Sequence, residues 1–164
     1  MKKILIIMIM FSGINIYAQS AAEPELTPQE EARQLERFSD DVRFDNAKRF
    51  VELKFYDKAL QYLGEYIEVF QNGAHRVEAI TYIAEIYFQR FEYMKSLQYY
   101  NLLYEENNNN DIGLNAYYNM GLCYSKMGYT AKANEIYNIL ISEHPASEIA
   151  LKARLQVDVD SIIN

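Results

Sequence analysis

Residues of similar size return three times along this chain at a fixed spacing of 37 positions. Ala47, Ala84 and Gly121 are small residues in register with one another. Three other sets share this register: Phe50, Tyr87 and Tyr124; Ala59, Ser96 and Ala133; Leu63, Tyr100 and Tyr137. Each position is therefore expected to have the same packing role in successive copies of one unit, which is the signature of a solenoid.

The chain after its first 26 residues is predicted to be helical throughout, because apolar residues return every three or four positions and Gly and Pro are scarce. Thr27, Pro28 and Glu30 have the pattern of a helix start, with a cap, a first-turn proline and a capping-box acid. We predict an N-terminal helix over 27–39, although one continuous helix to about residue 54 also fits. Three helix pairs are predicted at about 40–73, 77–110 and 114–147, within a domain spanning 40–163.

A last helix is predicted over 148–162, after Pro145 and a capping Ser147. Asp158 is the residue in register with Gly121, so this segment is not expected to be a fourth repeat. Its apolar face is formed by Leu151, Leu155, Val159 and Ile162. Such an amphipathic pattern is typical of the capping helix that ends a repeat array.

The third copy carries most of the positions that define a known helical repeat. These positions are Tyr117, Met120, Gly121, Tyr124, Gly128, Ala133, Tyr137 and Pro145. The pattern resembles the tetratricopeptide repeat, whose unit is a helix–turn–helix of about 34 residues. The resemblance implies an all-α fold: a right-handed α-solenoid of three helix hairpins, with an N-terminal helix and a C-terminal capping helix. Lys54 and Phe91 replace the turn glycine of the third copy, so wider turns are expected there.

Residues 1–18 are predicted to be a cleavable signal peptide. Lys2 and Lys3 precede an apolar run over 4–11, and the small Ala18 suits the position before a cleavage site. A membrane anchor is the alternative, but the segment over 4–17 is shorter than the about 20 residues that a bilayer span needs. The mature chain would begin near Gln19 with a linker over 19–26. Export to the periplasm is therefore predicted, with secretion from the cell left open.

The acidic character of the chain argues against two classes of partner. The net charge of −7 becomes −9 if Lys2 and Lys3 are removed with the signal peptide. This charge disfavours nucleic acid and anionic lipid as partners. Cys123 is the single cysteine, so no disulfide can form within the chain, and we interpret it as a small apolar residue inside a helix.

No pattern in the sequence predicts catalysis, a cofactor or a metal site. His75 and His144 lie in predicted loops without a His or Cys at ligand spacing. Phosphate-binding, metalloprotease and serine-hydrolase motifs are missing from the sequence. The protein is therefore predicted not to be an enzyme and to need no cofactor.

The family resemblance implies a concave groove lined by the first helix of each pair. The residues expected there are Phe44, Lys48, Val51, Thr81, Glu85, Phe88, Tyr118, Leu122, Ser125 and Lys126. Aromatic side chains beside mixed charge suit recognition of a peptide or a partner's helix. An alternative is that the N-terminal helix folds back and covers Phe44.

These features predict a non-catalytic scaffold or adaptor of the bacterial cell envelope that binds a segment of another envelope protein. The long loops between repeats are similar to those of the periplasmic partner of the Tol–Pal system and of outer-membrane assembly lipoproteins. The coiled coil of the first and the lipid-bearing cysteine of the second are missing. The alternative function is an exported carrier of a small apolar ligand, and homo-oligomerisation stays open.

Overall fold

The computed structural model describes residues 26–108 and 110–163, with side chains described to residue 159. The predicted signal peptide and all but the last residue of the linker lie outside the described residues. The described part consists of α-helices and contains no strand. The helices are α1 Pro28–Glu52, α2 Tyr56–Val69, α3 Arg76–Gln89, α4 Tyr93–Asn107, α5 Asp111–Lys126, α6 Thr130–Glu143 and α7 Glu148–Ile163.

The start of α1 is the capping box that the sequence predicts. The Thr27 hydroxyl accepts a hydrogen bond from the Glu30 backbone N–H at 3.3 Å, and the Thr27 backbone N–H donates to the Glu30 carboxylate at 2.8 Å. From there α1 runs for 25 residues without a break at Ser39 or Asp40. The N-terminal helix and the first repeat helix are therefore one element, whose first three turns extend beyond the helix pair.

Neighbouring helices pack in sequence order, from α1 on α2 to α6 on α7, with a smaller contact between α5 and α7. The predicted α-solenoid of three hairpins, formed by α1–α2, α3–α4 and α5–α6, is confirmed. Three buried clusters, which contain Leu63, Tyr100 and Tyr137 respectively, each join one hairpin to the first helix of the next unit. None of the described helices is both long and apolar enough to cross a membrane.

The small residues lie where the helices approach most closely, as predicted. Ala47, Ala84 and Ala133 are fully buried, and the Ser96 hydroxyl donates to the Ala84 carbonyl at 2.8 Å across the second hairpin. A Cβ added to Gly121 would lie 2.6 Å from the Tyr137 ring. Side-chain size at these positions therefore sets the distance between the paired helices.

The three hairpin turns share one conformation, so the expectation of wider turns at Lys54 and Phe91 was wrong. Lys54 (φ 59°) and Phe91 (φ 62°) adopt the left-handed backbone of Gly128 (φ 81°), and each turn is three residues long. The residue after each also donates its backbone N–H to a carbonyl five positions earlier, at 2.9 Å. Packing of the two helices fixes this geometry even where the residue is not glycine.

The helix α7 buries a different face from the one predicted. Ile149, Ala150 and Ala153 are buried, whereas Leu151 and Leu155 are more than half exposed. The Ile162 side chain lies outside the described side chains. Ala153 is in register with Ala79 and Ala116, which are also buried. We therefore correct the prediction: α7 packs as the first helix of a further unit does, and small residues at the closest approach decide which face is buried.

Candidate functional site

The first helices of the units, α1, α3 and α5, form with α7 one continuous surface, here named the first-helix face. The Lys48 ammonium bridges α1 and α3 by an ion pair to the Glu78 carboxylate at 3.1 Å. The Tyr82 hydroxyl donates to the same carboxylate at 3.0 Å. The hydrogen bond from Lys48 to Glu78 raises the pKa of Lys48. Polar contacts thus join neighbouring units along this face.

Phe44 is not part of the accessible surface, in contrast to its expected place in the groove. Its side chain is 1% exposed and stacks on the His75 ring with centroids 4.4 Å apart. Tyr66 and Tyr82 cover the rest of the ring. The loop between α2 and α3 carries His75 over the ring. The N-terminal helix does not fold back, because α1 is continuous.

The other apolar residues expected in the groove are half-buried. Val51 packs on the first cluster, Phe88 on the second and Leu122 on the third. Tyr118 leans on Tyr137 with ring centroids 5.7 Å apart, and burial raises its pKa, while the charge of Lys152 lowers it. These side chains hold neighbouring units together and expose only their edges to a partner.

Glu85 is the exposed acid near the centre of this face. Burial by the surrounding protein raises its pKa even though water reaches the side chain. Tyr100 is buried, and burial and then the charge of Glu85 raise the pKa of its hydroxyl. No Lys or Arg pairs with Glu85 among the described residues. A carboxylate in this environment is suited to pairing with a cation supplied by another molecule.

Two clefts cross the first-helix face. The first, of about 260 Å³, lies between α3 and α5 and is lined by Thr81, Asn115 and Asn119 among others. The second, of about 330 Å³, lies between α5 and α7 and is lined by Asn115 and Lys152. The Thr81 hydroxyl donates to the Val77 carbonyl at 2.8 Å, so it offers mainly its acceptor lone pairs. Both clefts present amide side chains, which can pair with a peptide backbone.

The remaining expected residues lie towards the C-terminal end of α5. Ser125 is half-buried, and Lys126 is exposed in the last turn. A cation at this position favourably faces the negative end of the helix dipole. The face therefore changes from the acidic Glu85 on α3 to the basic Lys126 on α5.

The sequence interpretation missed three polar residues of the face, Glu78, Asn115 and Lys152. They are spaced 37 positions apart, and Asp41 precedes them in the same register. The structure adds that Asp41 lies 2.8 Å from the His75 imidazole. Extending the packing register to polar positions would have identified this row.

The chemistry of the titratable groups is limited. The described residues contain no cluster of three His, Cys, Asp or Glu side chains able to hold a metal ion. Cys123 is buried with its Sγ 3.5 Å from the Ser96 Oγ, and burial raises the pKa of its thiol. A buried thiol with a raised pKa is a poor nucleophile at neutral pH.

Comparison with known families agrees with this arrangement. The tetratricopeptide repeat family model matches residues 115–147, which include nearly all of α5, the third turn and α6. None of the curated proteins compared with this chain matches it. The family match, together with the helical repeat, supports a tetratricopeptide repeat protein. Such repeats generally mediate protein–protein interactions and are typically non-catalytic.

Proposed function

We propose that this protein is a non-catalytic scaffold of the bacterial cell envelope that binds a segment of a partner protein along the first-helix face. The family match at residues 115–147 supports a role in protein–protein interaction. Tetratricopeptide repeats are typically not enzymes, which supports the non-catalytic part of the proposal. The partner would be another envelope protein or a peptide segment of one.

The observation that carries this proposal is the environment of Glu85. Its carboxylate is exposed but partly desolvated, and no described cation pairs with it. An unpaired carboxylate of this kind gains most from a partner's Lys or Arg, because the surrounding protein weakens the competition from water. We therefore propose that the bound segment places a basic side chain against Glu85.

The cleft between α3 and α5 is smaller than most small-molecule pockets and presents amide side chains. The cleft between α3 and α5 has a volume of about 260 Å³. Pockets for small molecules usually have about 300–1,000 Å³. Asn115 and Asn119 offer amide groups at which a peptide backbone can donate and accept. The size of this cleft and its amide groups support a protein partner.

Selection from a random peptide library tests this proposal. The protein beginning at Gln19 should enrich peptides that contain Lys or Arg, and Glu85→Lys should abolish that preference. Glu65→Lys on the exposed surface of α2 makes the same charge change away from the face and should leave the selection unchanged. Enrichment of the same peptides by wild type and Glu85→Lys would remove Glu85 from the binding site.

The envelope location is part of the proposal and is supported by the signal-peptide pattern over 1–18. Cell fractionation with mass spectrometry of the N-terminus tests it. We expect the protein in the periplasmic fraction, with Gln19 as its first residue. A protein that keeps Met1 and is found in the cytoplasmic fraction would contradict this location.

A further inference from the structure

Charge is distributed unevenly between the two edges of the solenoid. We name the ends of the hairpins at the three turns the turn edge, which comprises residues 49–58, 86–95 and 123–132. It carries seven Lys and Arg against three Asp and Glu. The opposite segments, 65–78, 102–115 and 139–152, carry eight acids against two bases. The turn edge is therefore basic although the net charge of the chain is acidic.

Contacts between the hairpins bring the turns together. The Arg90 guanidinium of the second turn pairs with the Asp57 carboxylate just after the first, at 2.7 Å. The Tyr56 hydroxyl donates to the Gln89 side chain at 2.8 Å. Tyr93 and Met127 pack on one cluster and link the second turn to the third. The three turns therefore form one edge.

A row of lysines follows this edge in the repeat register. Lys58, Lys95 and Lys132 are spaced 37 positions apart, and each ammonium lies over the first-helix ring of its own hairpin. The distances to the ring centroids are 5.5 Å for Phe50, 5.1 Å for Tyr87 and 5.4 Å for Tyr124. The rings hold the lysines at the edge by cation–π contacts, and Lys95 also pairs with the Glu92 carboxylate at 2.6 Å.

Large apolar side chains project from the same edge. Those more than half exposed are Leu53, Phe55, Phe91, Met94 and Tyr129. Phe91 is 77% exposed and has a left-handed backbone that disfavours any residue except glycine. Its ring makes an edge-to-face contact with the Tyr93 ring, with 6.2 Å between the centroids. An apolar side chain held in solvent at a conformational cost indicates a role outside the fold.

We propose that the turn edge binds the surface of an anionic phospholipid bilayer. The exposed apolar side chains of the turn edge enter the headgroup region, while its lysines contact lipid phosphates. A cleft of about 560 Å³ lies between the first two turns and is lined by Lys54, Asp57, Lys58 and Arg90 among others. Asp57 pairs with Arg90 there, so Lys54 and Lys58 are the cations that face a phosphate headgroup. The acids of the opposite edge face away from the membrane, where salt screens their repulsion over about 10 Å.

A bilayer fits this edge better than an acidic protein does. Exposed apolar side chains and cations recur at all three turns, so a complementary surface must offer both anions and an apolar layer beneath them along the whole edge. A bilayer surface offers both at every point. The inference from net charge that the chain avoids anionic lipid therefore does not extend to this edge.

Co-sedimentation with phospholipid vesicles tests the proposal. The protein beginning at Gln19 keeps every described helix and lacks the apolar run over 4–11, which would itself bind lipid. It should sediment with vesicles of mixed phosphatidylcholine and phosphatidylglycerol, less so at high salt, and not with phosphatidylcholine alone. Failure to bind the mixed vesicles, or equal binding to both, would overturn the proposal.

Two variants with matched controls separate binding from folding. Lys54→Glu with Lys132→Glu should weaken vesicle binding at least about tenfold, since each lysine near an anionic surface contributes about fivefold. Arg33→Glu with Arg37→Glu makes the same change on the exposed start of α1 and should have much less effect. Phe91→Gly should weaken vesicle binding several-fold without loss of stability. Phe38→Ala on α1 should leave vesicle binding unchanged. Wild-type binding by both turn-edge variants would overturn the proposal.

An acidic polypeptide distinguishes the other class of partner. Poly-glutamate should bind weakly to the protein, and this binding should not depend on Phe91. Binding to poly-glutamate that depends on Lys54 and Lys132, without binding to the mixed vesicles, would overturn the proposal in favour of an acidic protein.

Discussion

Phe91 and Gly128 occupy the same place in successive hairpin turns, with φ angles of 62° and 81°. Each donates its backbone N–H to a carbonyl three positions earlier, at 3.0 Å and 2.9 Å respectively. The two turns therefore differ in side chain and not in shape. Only glycine adopts this backbone without a steric cost from its side chain.

Phe91→Gly is therefore expected to stabilise the protein by about 1 kcal/mol, because it removes a left-handed conformation from a residue with a Cβ. Gly128→Ala should destabilise it by a similar amount. Urea unfolding followed by circular dichroism measures both. A Phe91→Gly protein less stable than wild type would show that the ring contributes more to the fold than its exposure indicates.

Gly121→Ala is expected to lower the free energy of unfolding by roughly 1–3 kcal/mol, through overpacking. The new Cβ would lie 2.6 Å from the Tyr137 ring and 3.2 Å from Ile136. Gly64→Ala is the matched control within another helix, because nothing lies within 4 Å of its added Cβ. The control should gain about 0.5–1 kcal/mol from the higher helix propensity of alanine. Changes of the same sign in both variants would contradict the close approach at Gly121.

Glu85→Gln is expected to stabilise the free protein at neutral pH. Burial raises the pKa of Glu85 above its ordinary value of 4.5, so the native state binds more protons than the unfolded state between the two values. Stability is therefore lost as the pH rises through this window, and glutamine avoids that loss. The gain should be less than about 1 kcal/mol, since water still reaches the side chain. Thermal unfolding from pH 4 to pH 8 should show that the stability gained by Glu85→Gln becomes smaller as the pH falls. A gain that does not depend on pH would contradict the raised pKa of Glu85.

The two faces of α7 should respond in opposite ways to substitution. Ala153→Leu introduces bulk at a fully buried position and should cost roughly 1–3 kcal/mol. Leu155→Ala removes a side chain that is 59% exposed and should change stability by less than about 0.5 kcal/mol. Chemical denaturation of both variants measures the difference. A larger loss at Leu155 would restore the apolar face that the sequence predicted.

The repeat register predicted the solenoid and its close approaches because residue size is visible in a sequence. It did not predict the turns at Lys54 and Phe91, since the sign of φ there follows from how the two helices pack. Leu155 was predicted to pack in preference to Ala153 because leucine is the more hydrophobic residue. The close approach of α7 to its neighbouring helices instead favours the smaller side chain. Phe44 was assigned to the groove by the family resemblance, and nothing in the sequence shows that His75 stacks on it.

Glu85 was expected on the first-helix face, and the register could have added Glu78, Asn115 and Lys152. That none of the described Lys and Arg side chains pairs with Glu85 is a property of the fold which a sequence does not show. The basic turn edge was hidden for a similar reason. Net charge sums over the whole chain, whereas the repeat sorts lysines and acids to opposite edges.

The stacking of each helix on its neighbours in sequence order has a consequence for how the protein unfolds. The first hairpin and α7 are each held from one side, whereas the second and third hairpins are packed on both sides. Melting should therefore start at the ends and move inwards, and backbone amides in α3 and α4 should exchange with deuterium last.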